Sequence, residues 1–357
     1  MEKDLASLIF DSARAEGFPL VGAVDIDLAR EAYPEHVVRY DRWLSAGYAG
    51  TMDYLVRGRD RRADPRVVFP GAESVVCVAI PYDPRPLGGA TPAAGPRYAR
   101  YLRQGDYHTE VAERLERALQ RASESSPFKW KVCVDTSAVL ERSWAALAGL
   151  GWIGKNTLLI HPKHGSYLFL AEALVDRKLG LAPAPLADYC GHCARCLDAC
   201  PTKAFPSPRS LDANRCISYW TLERKGEAPL PQNDRAGSGT WVAGCDLCQE
   251  VCPFNVKAAR AAEASAPAPG SPAILSDWPA LLDETEEAYR ARVKGSSLSR
   301  VKPAHFARNL ATALVNAADS LSPDVRAPLE RRIAREKDPA LKQVWLSALA
   351  RLVNSRT

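Results

Sequence analysis

The chain reads as an α+β protein in three parts: a layer of strands and helices, a cysteine-rich module, and a set of short helices. Three observations predict this. Apolar strand-like runs alternate with helical spacing over residues 1–185. Eight of the ten cysteines fall between Cys190 and Cys252. From about residue 276 only helical periodicity remains. The 357 residues suffice for two or three domains, and the 46% hydrophobic and 25% charged fractions are those of an ordinary soluble protein.

Taken in order, residues 4–15 have amphipathic helical spacing, and GFPLVGAVDI (17–26) turns into a strand. HVVRYDRWLSAGYAGTMDYL (36–55) is helical, interrupted at Gly47 and Gly50. A Pro-Gly loop precedes a buried strand, Val75 to Ile80, and a second such loop covers 84–96. RYARYLRQGDYH (97–108) leads into a helix over about 107–122. WKVCVD (130–135) is a strand ending on Asp135, and VLERSWAALAGL (139–150) is a helix stopped by Gly149 and Gly151. WIGKNTLLI and GSYLFLAEALV supply two more strands around HPKHG. Cys77 and Cys133 lie within apolar strands and read as core.

Proline-rich LAPAPLADY enters the cysteine module, residues 186–258, and AAEASAPAPGSPA (261–273) reads as a linker. Over 276–357, FARNLATALVNAA, DVRAPLERRIARE and ALKQVWLSALARLV are short helices joined by SP and DP turns. Their pairing resembles a HEAT-type repeat. The net charge of +5 is modest, but Arg331, Arg332, Arg335 and Lys337 cluster in this part. That cluster suits either a polyanion or a solvated helix face. MEKDLASLIF shows no export signal, and no apolar run approaches a membrane span. With reduced cysteines, these features lead us to expect a cytoplasmic monomer without a membrane partner.

CGHCARCLDACP (190–201) has the C-x2-C-x2-C-x3-C-P spacing of bacterial ferredoxins, in which the fourth cysteine ligates the other cluster. CDLCQEVCP (245–253) answers it. That rule assigns one [4Fe–4S] cluster to Cys190, Cys193, Cys196 and Cys252. The other takes Cys200, Cys245 and Cys248, and Cys216 is the unassigned cysteine nearby that completes it. Zinc and disulfides compete for paired C-x2-C motifs. Neither calls for the third cysteine or for the following prolines.

DTSAVLERSWAALAGLGWIGKNTLLI (135–160), GSYLFLAEAL, CGHCARCLDACPTKAF, CISYWTLE and GCDLCQEVCPFN together resemble the epoxyqueuosine reductase family, with RYARYLRQGDYH and RNLATAL in support. Trp144 departs from the usual pattern. The resemblance implies a nitroreductase-like cobalamin-binding domain, a ferredoxin-like two-cluster domain and a HEAT-like helical domain. It implies deoxygenation of epoxyqueuosine in a tRNA anticodon loop, using cobalamin, two [4Fe–4S] clusters and an external flavodoxin- or ferredoxin-type donor. It places the acid at Asp135, which by residue type alone suits a helix N-cap. Asp106, Tyr107 and His108 form a second polar group, with His108 the runner-up acid. Family positions put Arg57, Arg97, Asp135, Leu159, Leu170, Ser218 and Leu247 at cobalamin, and Lys155 and Asn156 suit its polar edges. The D-x-H-x-x-G pattern is absent, so no histidine ligand to cobalt is expected. The basic cluster would meet tRNA phosphates. A corrinoid reductive dehalogenase and a plain ferredoxin-type carrier are the rival functions.

Overall fold

Val75, Val76, Cys77 and Val78 expose no surface at all, because the strand that carries them is covered on both faces. The computed structural model describes residues 4–85, 95–103, 105–226, 230, 232–265 and 276–354. Within it, β1 (Leu20–Asp25), β2 (Ser74–Pro81), β4 (Trp130–Cys133) and β7 (Leu168–Val175) form a four-stranded sheet in the order β1-β2-β7-β4. Every pairing is antiparallel. Val76, Val78, Phe169, Ala171 and Ala173 face the Leu5–Ala15 and Tyr107–Ser125 helices. Val75, Cys77, Ala79, Cys133 and Leu174 face the Glu141–Leu147 helix and its buried Trp144. Cys77 and Cys133 are therefore core residues, as read from sequence.

Two expected strands are shorter than their apolar runs. WKVCVD leaves the sheet after Cys133 because Asp135 takes a left-handed conformation, φ +50°. The following helix begins at Glu141, so Leu140 occupies its N-cap and Asp135 caps nothing. WIGKNTLLI makes a separate hairpin, β5 (Trp152–Ile153) with β6 (Leu159–Ile160). A Cβ at Gly151 would stand 2.5 Å from the Ile160 carbonyl oxygen, so only glycine permits that approach. The expected linker is also revised: the Pro253–Ser265 helix takes its first five residues. The rest of the linker, and residues 86–94 of the upstream loop, lie outside the described residues.

The short β3 (Arg97–Tyr98) pairs in parallel with β8 (Trp241–Ala243). Tyr98, Leu102, Val242 and Ala243 then join the core of the C-terminal helices. Those helices, Trp278–Asp283, Pro303–Ala317, Arg326–Arg335 and Pro339–Asn354, bury Leu310, Leu314, Leu329 and Trp345. Arg308, 1% exposed, sends its guanidinium to the carbonyls of Trp220 (2.7 Å) and Gly226 (2.6 Å). Asn309 donates to the carbonyls of Thr221 (2.7 Å) and Val242 (3.1 Å). The RNLATAL segment is thus a joint between the helices and the cysteine module. No helix among the described residues is long and apolar enough to cross a membrane.

Glu172 lies in β7 between its register partners Cys77 and Cys133, fully buried, with neither carboxylate oxygen hydrogen-bonded. Burial first, and then the nearby Glu141, raise its pKa well above the ordinary value. The folded chain therefore keeps the proton that the unfolded chain releases above pH ~4.3, which costs about 1.4 kcal/mol of stability per pH unit across that window. Glu172→Gln removes this cost, so its stability advantage over the parent should grow as pH rises from about 6 to about 8. Thermal melts at several pH values check this; parallel curves would refute an uncharged Glu172.

Candidate functional site

The eight module cysteines gather into two groups. Cys252 and Cys190 pack with Trp152, Ile160 and Phe254, whereas Cys216 and Cys245 pack with Ile217, Trp220 and Trp241. Electrostatics extend each group. Burial, and then the neighbouring Cys190 and Cys252, push the Cys196 thiol up to about 11. Cys252 is raised by burial and by Cys190 and Cys193. Cys248 responds to burial, then to Cys245 and Cys216, while Cys216 responds to burial and to Cys200. Cys196 also raises Cys248, so the two groups adjoin. Thiols crowded in this way are costly to ionise without a metal, and they suit thiolate-ligated iron–sulfur chemistry.

Hydrogen-bond donors already point at the sulfurs. The backbone N–H of Ala204 donates to Cys200 Sγ at 3.3 Å, and Trp152 Nε1 donates to Cys190 Sγ at 3.4 Å. A buried amide network fixes the loop holding Cys252. The N–H of Ser166 donates to Asn255 Oδ1 (2.6 Å), Asn255 Nδ2 donates to Ser166 Oγ (2.9 Å), and Gln249 Nε2 donates to the Ser166 carbonyl (3.1 Å). Gly165, φ +67°, is required there, because a Cβ would lie 2.1 Å from Asn255 Oδ1.

Asp135 sits beyond β4, its side chain 55% exposed. The carboxylate is open to solvent because the chain has turned out of the sheet. Its Oδ2 lies 3.0 Å from His108 Nε2, and His108 Nδ1 lies 2.5 Å from Asp106 Oδ1. Burial lowers the His108 pKa, but hydrogen bonds with Asp135 and then Asp106 outweigh it, and the net shift is upward. An imidazolium between two carboxylates can hold and pass a proton. The backbone N–H of Asp135 donates to Glu141 Oε1, which pins the left-handed turn. Burial, and after it the Asp135 charge, raise Glu141 and Glu223. Tyr54, Tyr101 and Tyr107 are raised by burial with Asp135 as a further cause. These residues surround the carboxylate. Sequence reasoning missed Tyr54, Tyr101, Glu141 and Glu223, which come from four separate segments and form no local pattern.

The Ile217–Leu222 helix ties the two chemistries together: Cys216 precedes it and Glu223, close to Asp135, follows it. Its length puts them about 10 Å apart at 1.5 Å per residue. Tyr219, on this helix, accepts the Thr51 N–H at 2.7 Å. A Cβ at Gly50 would meet the same hydroxyl at 2.4 Å, which explains the glycine there.

Several expected cobalamin positions have other partners. Arg97 pairs with Glu250 at 2.8 Å and lies over the Trp241 ring at 4.0 Å. Lys155 Nζ donates to the Gly191 carbonyl at 2.6 Å, and Asn156 Nδ2 to the Cys248 carbonyl at 3.4 Å. Both are taken by the cysteine loops. Leu159 is core, packed near Trp144, so its side chain lines nothing. Arg57 is exposed at the end of the Asp53–Arg57 helix, while Leu170, Ser218 and Leu247 are half-buried.

The basic cluster is likewise not a free patch. Arg331 pairs with Asp283 at 2.6 Å, and Arg332 pairs with Glu336 at 3.0 Å beneath Trp345. Arg335 donates to the carbonyls of Leu282, Asp283 and Glu284. It thereby satisfies the C-terminal carbonyls of the Trp278–Asp283 helix, where cations are favoured. Lys337 is exposed.

Comparison with known proteins agrees with this arrangement. Residues 189–255 match the family model of the 4Fe-4S double cluster binding domain, and residues 62–136 match that of epoxyqueuosine reductase QueG, DUF1730. The epoxyqueuosine reductase of Pseudomonas aeruginosa is 40% identical over 321 residues, covering 89% of this chain and 87% of that one. That of Gloeobacter violaceus is 39% identical over 322 residues, covering 89% and 98%. Among solved structures, the Streptococcus thermophilus epoxyqueuosine reductase superposes with TM-score 0.76 at 25% identity, over 97% of this chain and 90% of that one. An epoxyqueuosine reductase crystallised with an epoxyqueuosine-modified tRNA-Tyr stem loop gives 0.74 at 24% identity over 98% and 99%, a likeness of fold.

Proposed function

The chain belongs to the epoxyqueuosine reductase family, and from that premise we propose that it reduces the epoxide of epoxyqueuosine in a tRNA anticodon loop to the alkene of queuosine. The observation that carries the reading is the Asp106–His108–Asp135 proton line beside a two-group cysteine module. On this reading the chain has a nitroreductase-like cobalamin-binding part over 1–185, a two-cluster part over 186–258 and a HEAT-like part over 276–357.

Expelling an epoxide oxygen as water consumes two electrons and two protons. Two [4Fe–4S] clusters, on Cys190, Cys193, Cys196 and Cys252 and on Cys200, Cys216, Cys245 and Cys248, would pass electrons singly from an external flavodoxin- or ferredoxin-type donor. When bound, cobalamin supplies low-valent cobalt chemistry for breaking the carbon–oxygen bond. Of the family's cobalamin positions, Arg57 is exposed and Leu170, Ser218 and Leu247 are half-buried, so these would hold it together with the exposed Asp135. Asp135 protonates the departing oxygen. His108, held charged between two carboxylates, restores that proton and aligns Asp135. Glu141 fixes the Asp135 backbone, and the tyrosines exclude water from the far side.

The tRNA phosphates would meet Lys337 and Arg331. Arg331 can leave Asp283 at little cost, because exposed ion pairs contribute about 0–1 kcal/mol. Arg332 and Arg335 are reserved for the helix packing. Replacing Lys337 and Arg331 with alanine should weaken tRNA binding and flatten its salt dependence. Unchanged salt dependence would move the phosphate contacts elsewhere.

Conversion of epoxyqueuosine-containing tRNA to queuosine by the cobalamin- and iron-loaded protein, followed by nucleoside mass spectrometry, tests the function; absence of product refutes it. Asp135→Asn keeps a residue type tolerant of the left-handed conformation but removes the acid. Turnover should fall by about 10²–10⁴-fold with tRNA binding retained. Near-normal turnover in this variant would transfer the acid role to His108.

A further inference from the structure

Trp152 is only 4% exposed, and its indole N–H points at a ligand sulfur, Cys190 Sγ, at 3.4 Å. Two rings hold it in place edge-on. Tyr189, next to Cys190, lies 5.2 Å away at 67°, and Phe254, just beyond Cys252, lies 4.9 Å away at 76°. The indole is therefore gripped from both chain segments that supply the first cysteine group. The same short stretch reaches the other loop. Lys155 holds the Gly191 carbonyl, and Asn156, itself buried, holds the carbonyl of Cys248 in the second group. A Cβ at Gly154 would lie 2.4 Å from Ile160 Cδ1, so the strap can lie this close to β6 only with glycine there.

We propose that Trp152 is a positioning residue that raises the reduction potential of the cluster held by Cys190, Cys193, Cys196 and Cys252, through its N–H···S hydrogen bond. This rests on the two-cluster reading. A cluster that accepts one electron gains one negative charge, shared with its thiolate sulfurs. A fixed N–H dipole aimed at one of those sulfurs stabilises the reduced state more than the oxidised state, and hydrogen bonds to sulfur are among the determinants of cluster potential. Low dielectric strengthens the effect, and the buried indole cannot turn to water instead. In the second group, Cys200 Sγ takes a backbone N–H from Ala204 and lies 3.4 Å from the Thr202 hydroxyl. The two clusters are thus made unequal by a residue from outside the cysteine module. Trp152 sets how readily the first one accepts an electron from the external donor.

The test is an anaerobic redox titration of the fully loaded chain, followed by electron paramagnetic resonance, comparing the parent with Trp152→Phe. Phenylalanine keeps an aromatic ring between Tyr189 and Phe254 and deletes the N–H donor. The expected result is full iron content, one cluster midpoint moved to more negative potential, and the other unmoved. Two unmoved midpoints at full iron would overturn the proposal, as would equal displacement of both. Should the variant lose iron, the parent chain carrying ¹⁵N-indole tryptophan decides the matter. A ¹⁵N hyperfine coupling to one reduced cluster supports the hydrogen bond, and its absence refutes it. Parent protein with iron for only one cluster would be seen before any comparison, and would refute the two-cluster reading separately.

Discussion

On the two-cluster reading, eight thiols that repel one another once ionised have to be held in two neighbouring groups, and most of the architecture answers that constraint. The cysteine loops are too short to form a core of their own, so their backbones are fixed from outside. Asn255, Gln249 and Ser166 lock one loop to the end of the central sheet. Trp152, Lys155 and Asn156 reach both loops from a hairpin. Arg308 and Asn309 hold the carbonyls of Trp220 and Thr221, in the helix that follows Cys216. Each clamp satisfies buried polar groups that would otherwise be unpaired, and the cysteines stay in place as a consequence.

On the proposed reading, the same helix connects electron supply with proton supply. Its first end follows Cys216, and Glu223 at its other end feels the Asp135 charge. The helical rise sets Cys216 and Glu223 about 10 Å apart. Asp135 is exposed and held by its backbone, through Glu141, while its carboxylate is held by His108. An acid with a fixed backbone and an open face can meet a substrate as bulky as a nucleoside in RNA.

The iron–sulfur module was legible because ligand spacing is a local property of sequence, and residues 189–255 match a 4Fe-4S double cluster binding domain. The strands of the central sheet were legible because Val75–Ile80 is a continuous apolar run and Leu168–Val175 is one broken only by Glu172. Less legible was whatever depended on a partner far along the chain. Lys155 and Asn156 read as ligands of a polar cofactor edge, but they serve carbonyls 36 and 92 residues away. Arg331 and Arg335 read as part of a surface charge cluster because their partners, Asp283 and the carbonyls ending its helix, come some fifty residues earlier. Asp135 read as a strand end and as a cap because nothing local announces a left-handed residue after Val134. The β3–β8 pairing was invisible, since strands this short carry no periodicity.

Iron content and cluster spectroscopy of anaerobically prepared protein test the central claim, two four-thiolate groups with Cys216 completing the second. Two cubanes predict about eight irons per chain, and Cys216→Ala should lose the signal of one cluster and about half the iron while keeping the other. About four irons in the parent, or a Cys216→Ala chain with both clusters spectroscopically unchanged, would contradict it.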